Sequence, residues 1–172
     1  MHLYIVRHGI AIDRDDPKCP SDPERFLTLE GLTKTREVAL GFASLVDTPR
    51  VFLSSPYVRA LQTAEIFAEA LKFSKSKVEK SEHLLPGAEP SAFFRELSRE
   101  LSRRKSVDSA ICFGHAPQLD ELIALALGSK RDLTELKKAG VACIALSLVH
   151  QPAGTLIWLM PPKALRKLSK GE

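Results

Sequence analysis

Three short stretches of this sequence set side chains able to do phosphoryl chemistry beside turn-forming residues. They are Arg7-His8-Gly9, Ser54-Ser55-Pro56 leading to Arg59, and Gly114-His115-Ala116-Pro117. Guanidinium groups recognise phosphate bidentately, and a neutral imidazole is a nucleophile that can attack phosphorus. Gly9 lets the backbone come close to a ligand. Arg59 falls in the first turn of an expected helix, where free N–H groups and the helix dipole also favour an anion, and His115 stands at the mouth of another. Two guanidiniums and two imidazoles converging on helix N-termini describe an anion site with a nucleophile in it. Surrounding positive charge disfavours a second proton on His8 and keeps its attacking nitrogen free. The same charge stabilises the equatorial oxygens of a phosphoryl group in transfer.

These residues are distant in sequence, so regular elements must gather them. Residues 2–6 are apolar and β-rich and stop at Arg7-His8-Gly9, the pattern of a buried strand ending in a turn. Residues 13–25 hold Pro17, Pro20 and Pro23 among four Asp and read as a loop, either walling the site or lying on the surface. Helical spacing follows from Thr28, with Leu32, Val38, Ala39, Phe42, Leu45 and Val46 on one face and Thr28 or Thr33 as the cap. Residues 51–53 form a second strand, and Pro56 suits the first turn of a helix bearing Ala60, Leu61, Ala64, Ala68 and Leu71. A helix from Pro90 buries Phe93, Phe94, Leu97 and Leu101. Residues 110–113 make a third strand, followed by a helix with Leu119, Leu122, Ile123, Ala126 and Leu127 that Gly128 ends. Residues 141–149 and 155–160 close the chain as a strand pair. The alternation predicts an α/β protein, a three-layer α/β/α sandwich with a mainly parallel central sheet. Sites in such sheets lie beyond the carboxyl ends of the strands, where Arg7, His8, Arg59 and His115 fall.

Residues 3–9, 54–64 and 113–117, taken in that order, resemble the three motifs of the histidine phosphatase superfamily, which includes the phosphoglycerate mutases. Leu27-Thr28-Leu29-Glu30-Gly31 is similar to that family's entry to its first helix, and residues 137–142 are similar to SixA-type phosphohistidine phosphatases. The resemblance implies a phosphoglycerate mutase-like fold. It also implies that His8 becomes phosphorylated and that Arg7, Arg59, His115 and the Gly9 backbone hold the phosphoryl oxygens, with phosphate or sulfate as the expected anion. Water would then hydrolyse phospho-His8 without a cofactor or metal, and no pair of histidines has metal-ligand spacing. Many relatives add a carboxylic acid after the second motif. The candidates here are Glu82 and Glu89, each more readily read as a solvated loop residue than as an acid tuned by burial. If neither serves, the leaving group must be a good one. Imidazole, with a pKa near 6.5, leaves far more readily than a sugar alkoxide, and SixA-type enzymes resemble this case.

The 55 residues between Arg59 and His115 leave no room for the inserted cap of larger relatives. An open pocket suits a phosphohistidine on a protein better than an enclosed sugar. The alternatives are a small-molecule phosphomonoesterase and a weakly catalytic phosphoprotein-binding module. His2, His83 and His150 read as structural or solvent-facing, and Ser54 and Ser55 as turn residues that are also potential phosphate donors.

The chain has 172 residues, 44% hydrophobic and 27% charged, which predicts one globular domain and excludes a disordered or disulfide-stapled chain. Most of the formal charge of +4 sits in residues 163–172, where Lys163, Arg166, Lys167 and Lys170 face Glu172. The expected organisation is a single domain over 1–162 and a basic C-terminal tail over 163–172. The nearly neutral body does not suggest a nucleic-acid partner. Cys19, Cys112 and Cys143 lack metal spacing and two lie in apolar runs, fitting a reducing compartment. With no signal-like or spanning segment, the expectation is a cytoplasmic monomer acting on a phosphorylated protein, away from membranes.

Overall fold

A computed structural model of the chain describes residues 1–104, 106–149 and 151–171; His150 lies outside the described residues. Its strands are β1 (His2–Arg7), β2 (Val51–Ser54), β3 (Glu79–Lys80), β4 (Ser109–Gly114), β5 (Val141–Leu148) and β6 (Ala153–Met160). The helices are α1 (Leu29–Ala43), α2 (Val58–Ala70), α3 (Pro90–Ser102), α4 (Gln118–Ala126) and α5 (Pro162–Leu168). One six-stranded sheet runs in the order β3-β2-β4-β1-β5-β6. Its first four strands are parallel, and β5 and β6 join antiparallel.

Alternation along β1 explains why the sheet is covered on both faces. Tyr4 and Val6 join the core built with α1, α2 and α5, where Phe42, Phe52, Phe67, Phe113 and Leu165 are buried. Leu3 and Ile5 point the other way, into the core built with α3 and α4 around Phe93, Phe94, Leu97, Leu119 and Leu122. This is the expected α/β/α sandwich with a mainly parallel sheet. Because β1 lies beside β4, the residues that follow both strands emerge side by side at one end of the sheet.

Local chemistry sets the helix ends. The Thr28 hydroxyl accepts from the Gly31 N–H at 2.9 Å and caps α1, whereas the Thr33 hydroxyl donates back to the Leu29 carbonyl inside the helix. Helix α1 stops at Ala43, so Leu45 and Val46 do not extend its apolar face, and Leu45 is exposed. Pro56 precedes rather than enters α2. Tyr57 remains extended as the N-cap, its N–H directed to the Ser55 hydroxyl. Strand β3 is two polar residues long and carries no hydrophobic pattern from which to predict it.

The basic end of the chain is not a free appendage. Residues 162–168 form α5, Leu165 is fully buried, and Arg166 pairs with Glu37 of α1. Gly41 makes this packing possible, since a Cβ there would lie 1.8 Å from the Leu165 carbonyl oxygen. One buried leucine turns a charge-rich segment into part of the core, while its lysines stay on the outer face.

Candidate active site

His8 follows the last residue of β1, and neighbouring chain segments clamp its backbone. Its N–H donates to the Gly114 carbonyl at 3.0 Å, and its carbonyl accepts from the Ala139 N–H at 3.1 Å. The ring is fixed as well. Nδ1 lies 2.7 Å from the Gly9 carbonyl oxygen. A carbonyl can only accept, so Nδ1 carries the proton and Nε2 keeps its lone pair. Gly9 is needed for this geometry, because a Cβ at that position would stand 2.3 Å from the Thr35 hydroxyl oxygen. Its N–H donates to the Thr63 hydroxyl at 3.0 Å. In this structure the Gly9 backbone, which the family resemblance assigns to an oxyanion, serves the ring and the packing.

His115 follows β4 and meets His8 with ring centroids 5.2 Å apart. Its Nε2 is 2.9 Å from the Ser55 hydroxyl, while Nδ1 is buried without a protein partner. Ser55 thus orients a histidine. Ser54 donates to the Ser55 carbonyl in the turn.

Arg59, only 3% exposed, sits in the first turn of α2, with its guanidinium 5.1 Å from the Tyr57 ring centre. The Thr63 hydroxyl donates to the Arg59 carbonyl at 2.8 Å, tying this turn to Gly9. Arg7 directs Nη1 to the Leu136 carbonyl at 2.8 Å. In both arginines Nε is buried with no protein acceptor. Three of the four residues singled out from sequence therefore offer buried ring or guanidinium nitrogens that the protein does not satisfy. Leaving such groups unpaired costs about 1–3 kcal/mol each, and an oxyanion is the complementary partner.

Both imidazoles are held neutral. Burial, reinforced by Arg59, Arg7 and Lys138, pulls His8 from 6.5 down to about 3, although the Gly9 carbonyl opposes the shift. Burial, then Arg59, His8 and Arg7, takes His115 to about 2, against the smaller opposing effect of Asp22. The site thus presents two uncharged rings among fixed cations, the protonation state that nucleophilic attack by nitrogen requires.

The loop spanning 13–25 supplies a residue that sequence patterning missed. A short bridge between Ala11 and Leu27 closes its base. Within it, Asp22 accepts from Arg59 twice: its backbone carbonyl from Nη1 at 2.6 Å and its Oδ2 from Nη2 at 3.2 Å. Arg25 and Arg14 reach the other carboxylate oxygen at 3.1 and 3.2 Å. Burial works against its charge, but these three arginines prevail and hold the carboxyl below the usual range. The loop therefore walls the site. Asp22 is one of four Asp in a proline-rich stretch, and no spacing distinguishes it from the others. Glu82 and Glu89 are both exposed, and Glu89 accepts from Ser91 on its own helix turn. No contact among the described residues ties either to His8. His83 contributes its carbonyl as an acceptor for Gln118, a structural role.

Residues 3–85 match the model of the histidine phosphatase superfamily, branch 1. An uncharacterised protein of Picosynechococcus sp. is 36% identical over 169 residues, covering 96% of this chain and 99% of that protein. The solved structure of the protein histidine phosphatase SixA, complexed with tungstate, superposes with a TM-score of 0.83 at 25% identity, covering 96% of this chain and 99% of the other. A mycobacterial glucosyl-3-phosphoglycerate phosphatase complexed with vanadate shares the fold, with a TM-score of 0.70 at 17% identity, covering 93% and 99%. With the fold, the motif order and the paired neutral histidines in agreement, the chain belongs to the histidine phosphatase superfamily and has the compact architecture of its SixA-type structures.

Proposed function

We propose that this phosphatase hydrolyses phosphohistidine on a protein through a phosphorylated His8. Nε2 of His8 attacks phosphorus, the N–P bond of a substrate ring already protonated on its other nitrogen breaks, and the electron pair leaves on the substrate as neutral imidazole. A water molecule then attacks phospho-His8, releasing inorganic phosphate and restoring Nε2. Arg7, Arg59 and His115 hold the phosphoryl oxygens throughout. For His115 we take the tautomer in which Nδ1, the ring nitrogen with no protein partner, carries the proton and Nε2 accepts from the Ser55 hydroxyl. Fixed cations in a buried site need little reorganisation as charge spreads over the equatorial oxygens. Neither step draws on a metal or cofactor.

The substrate class rests on the state of one carboxylate. Among the described contacts, Asp22 is the acidic side chain bonded to a site residue, and its arginine partners keep it ionised. An ionised carboxylate cannot protonate a leaving group. A sugar or serine alkoxide needs that proton, whereas a protein imidazole departs without it. Tungstate in SixA and vanadate in the mycobacterial phosphatase are the kind of oxyanion this cluster of donors would accept. A cytoplasmic, monomeric protein acting on a phosphorelay partner is consistent with this chemistry, and no described helix is long and apolar enough to cross a membrane.

The test is turnover of a phosphohistidine-bearing domain against a panel of sugar and nucleotide phosphates. The expected result is faster release of phosphate from phosphohistidine, lost in His8→Ala. Faster turnover of a sugar phosphate would overturn the substrate class, full activity in His8→Ala the mechanism, and binding without turnover would make the chain a phosphoprotein-binding module.

A further inference from the structure

Arg7 owes its orientation to a residue outside all three motifs. Its Nη1 donates to the carbonyl of Leu136, which lies in the irregular segment between α4 and β5. There, with no helical or sheet ladder, individual hydrogen bonds must set the position of a carbonyl. The decisive one comes from α4. The Leu136 N–H donates to Asp120 Oδ1 at 2.9 Å, and the Thr134 hydroxyl donates to the same oxygen at 2.7 Å. Asp120 is 5% exposed, and Leu136 is fully buried. The helix that carries Asp120 is hydrogen-bonded back to the site, since Leu119 N–H donates to the His115 carbonyl at 2.9 Å. Three residues after Leu136 the segment docks again, the Ala139 N–H lying 3.0 Å from the Arg7 carbonyl and 3.1 Å from that of His8.

We propose that Asp120 is a positioning residue for the phosphoryl site: its carboxylate fixes the Leu136 peptide, whose carbonyl aims the Arg7 guanidinium. This rests on the phosphatase reading above. A buried carboxylate accepting two hydrogen bonds from one loop holds that loop in a single register. Losing it frees the Leu136 carbonyl and lets Arg7 reorient, which weakens oxyanion binding without touching the nucleophile. Supports that orient a ligating group typically matter by about 10- to 100-fold in affinity or activity. An Asp in the first turn of a helix also has a purely local use, as a partner for the helix dipole. That use predicts lost stability with no specific effect on Arg7.

Orthovanadate affinity, measured by calorimetry on the full chain, separates the two roles. Asp120→Ala removes the oxygen that accepts both bonds and is expected to weaken vanadate binding about tenfold, raising KM more than it lowers kcat. In an Arg7→Ala background the same substitution should change affinity less than about twofold, because the group it acts through is gone. Thr134→Val removes the other bond to the same oxygen but leaves Leu136 held, so it should lower the melting temperature while affinity stays near wild type. An equal effect of Asp120→Ala in both backgrounds, or an affinity loss in Thr134→Val as large as in Asp120→Ala, overturns the proposal. If Asp120→Ala does not fold, Asp120→Glu serves in its place, and unchanged vanadate affinity in that folded variant also counts against the assignment. Failure of the phosphatase reading looks different: wild-type protein would turn over no phosphorylated substrate, whatever the pattern of vanadate affinities.

Discussion

Lowering the pH should destabilise this protein through the two histidines of its candidate active site, and the size of the effect follows from their burial. His8 and His115 are held neutral down to about pH 3 and 2 in the folded state, against 6.5 in the unfolded chain. Their folded values are depressed, so between those limits and pH 6.5 the unfolded state binds protons that the native state refuses. Stability therefore rises with pH across this window and is lost as pH falls through it. Each pH unit below 6.5 costs about 1.4 kcal/mol per histidine. From pH 7.5 to 5.0 that amounts to about 2 kcal/mol for each ring and about 4 kcal/mol for both, a large share of a typical domain's stability. Carboxylates titrating in the same range are common to all variants and cancel in a difference. Urea unfolding at the two pH values, in buffer free of phosphate so that anion binding does not stabilise the native state, should show wild type losing about 2 kcal/mol more than His8→Asn. The same excess is expected over His115→Asn. If wild type and both variants lose stability equally on acidification, the rings are not held neutral by burial and the reasoning fails. The same protonation state requires that the acid limb of kcat/KM lie well below pH 6.5.

Two further outcomes test the packing that supports the site. Gly9→Ala should cost about 1–3 kcal/mol by overpacking against Thr35 and lower activity by shifting the carbonyl that holds His8 Nδ1; Thr35→Ala in the same chain should restore part of the melting temperature. Truncation after Pro161 should cost at least about 1.5–3 kcal/mol, the worth of one buried leucine, whereas a solvated tail would be removed without change in a denaturant melt.

Arg7, His8, Arg59 and His115 could be picked out as candidates because each lies at a strand end or in the first turn of a helix, where the chemistry is local. Strand ends, glycines and helix first turns are set by neighbours a few residues away, and the periodicity of the flanking segments identified the sheet and helices that bring them together. That the sheet is covered on both faces was legible in the uninterrupted apolar run of residues 3–6, which reads as a buried strand, whereas which side chain enters which half of the core was not. Residues acting through backbone atoms left no such trace. Leu136 contributes a carbonyl, as Gly9 does for His8, and any residue type supplies one. Charge arithmetic likewise assigned residues 163–172 to a tail, because four cations outnumber the single Leu165 that docks them.

From the sequence came the candidate reactive set and the kind of sheet that presents it, since both are read from short-range turn chemistry and hydrophobic period. Tertiary structure alone decided the protonation and the company of those residues. Burial and the convergence of Arg7, Arg59 and Lys138 depress the pKa of His8, and long-range contacts bring Asp22 to Arg59 across 37 residues and the Leu136 carbonyl to Arg7 across 129. Desolvation and through-space charge depend on distances in the folded chain, which sequence separation does not encode.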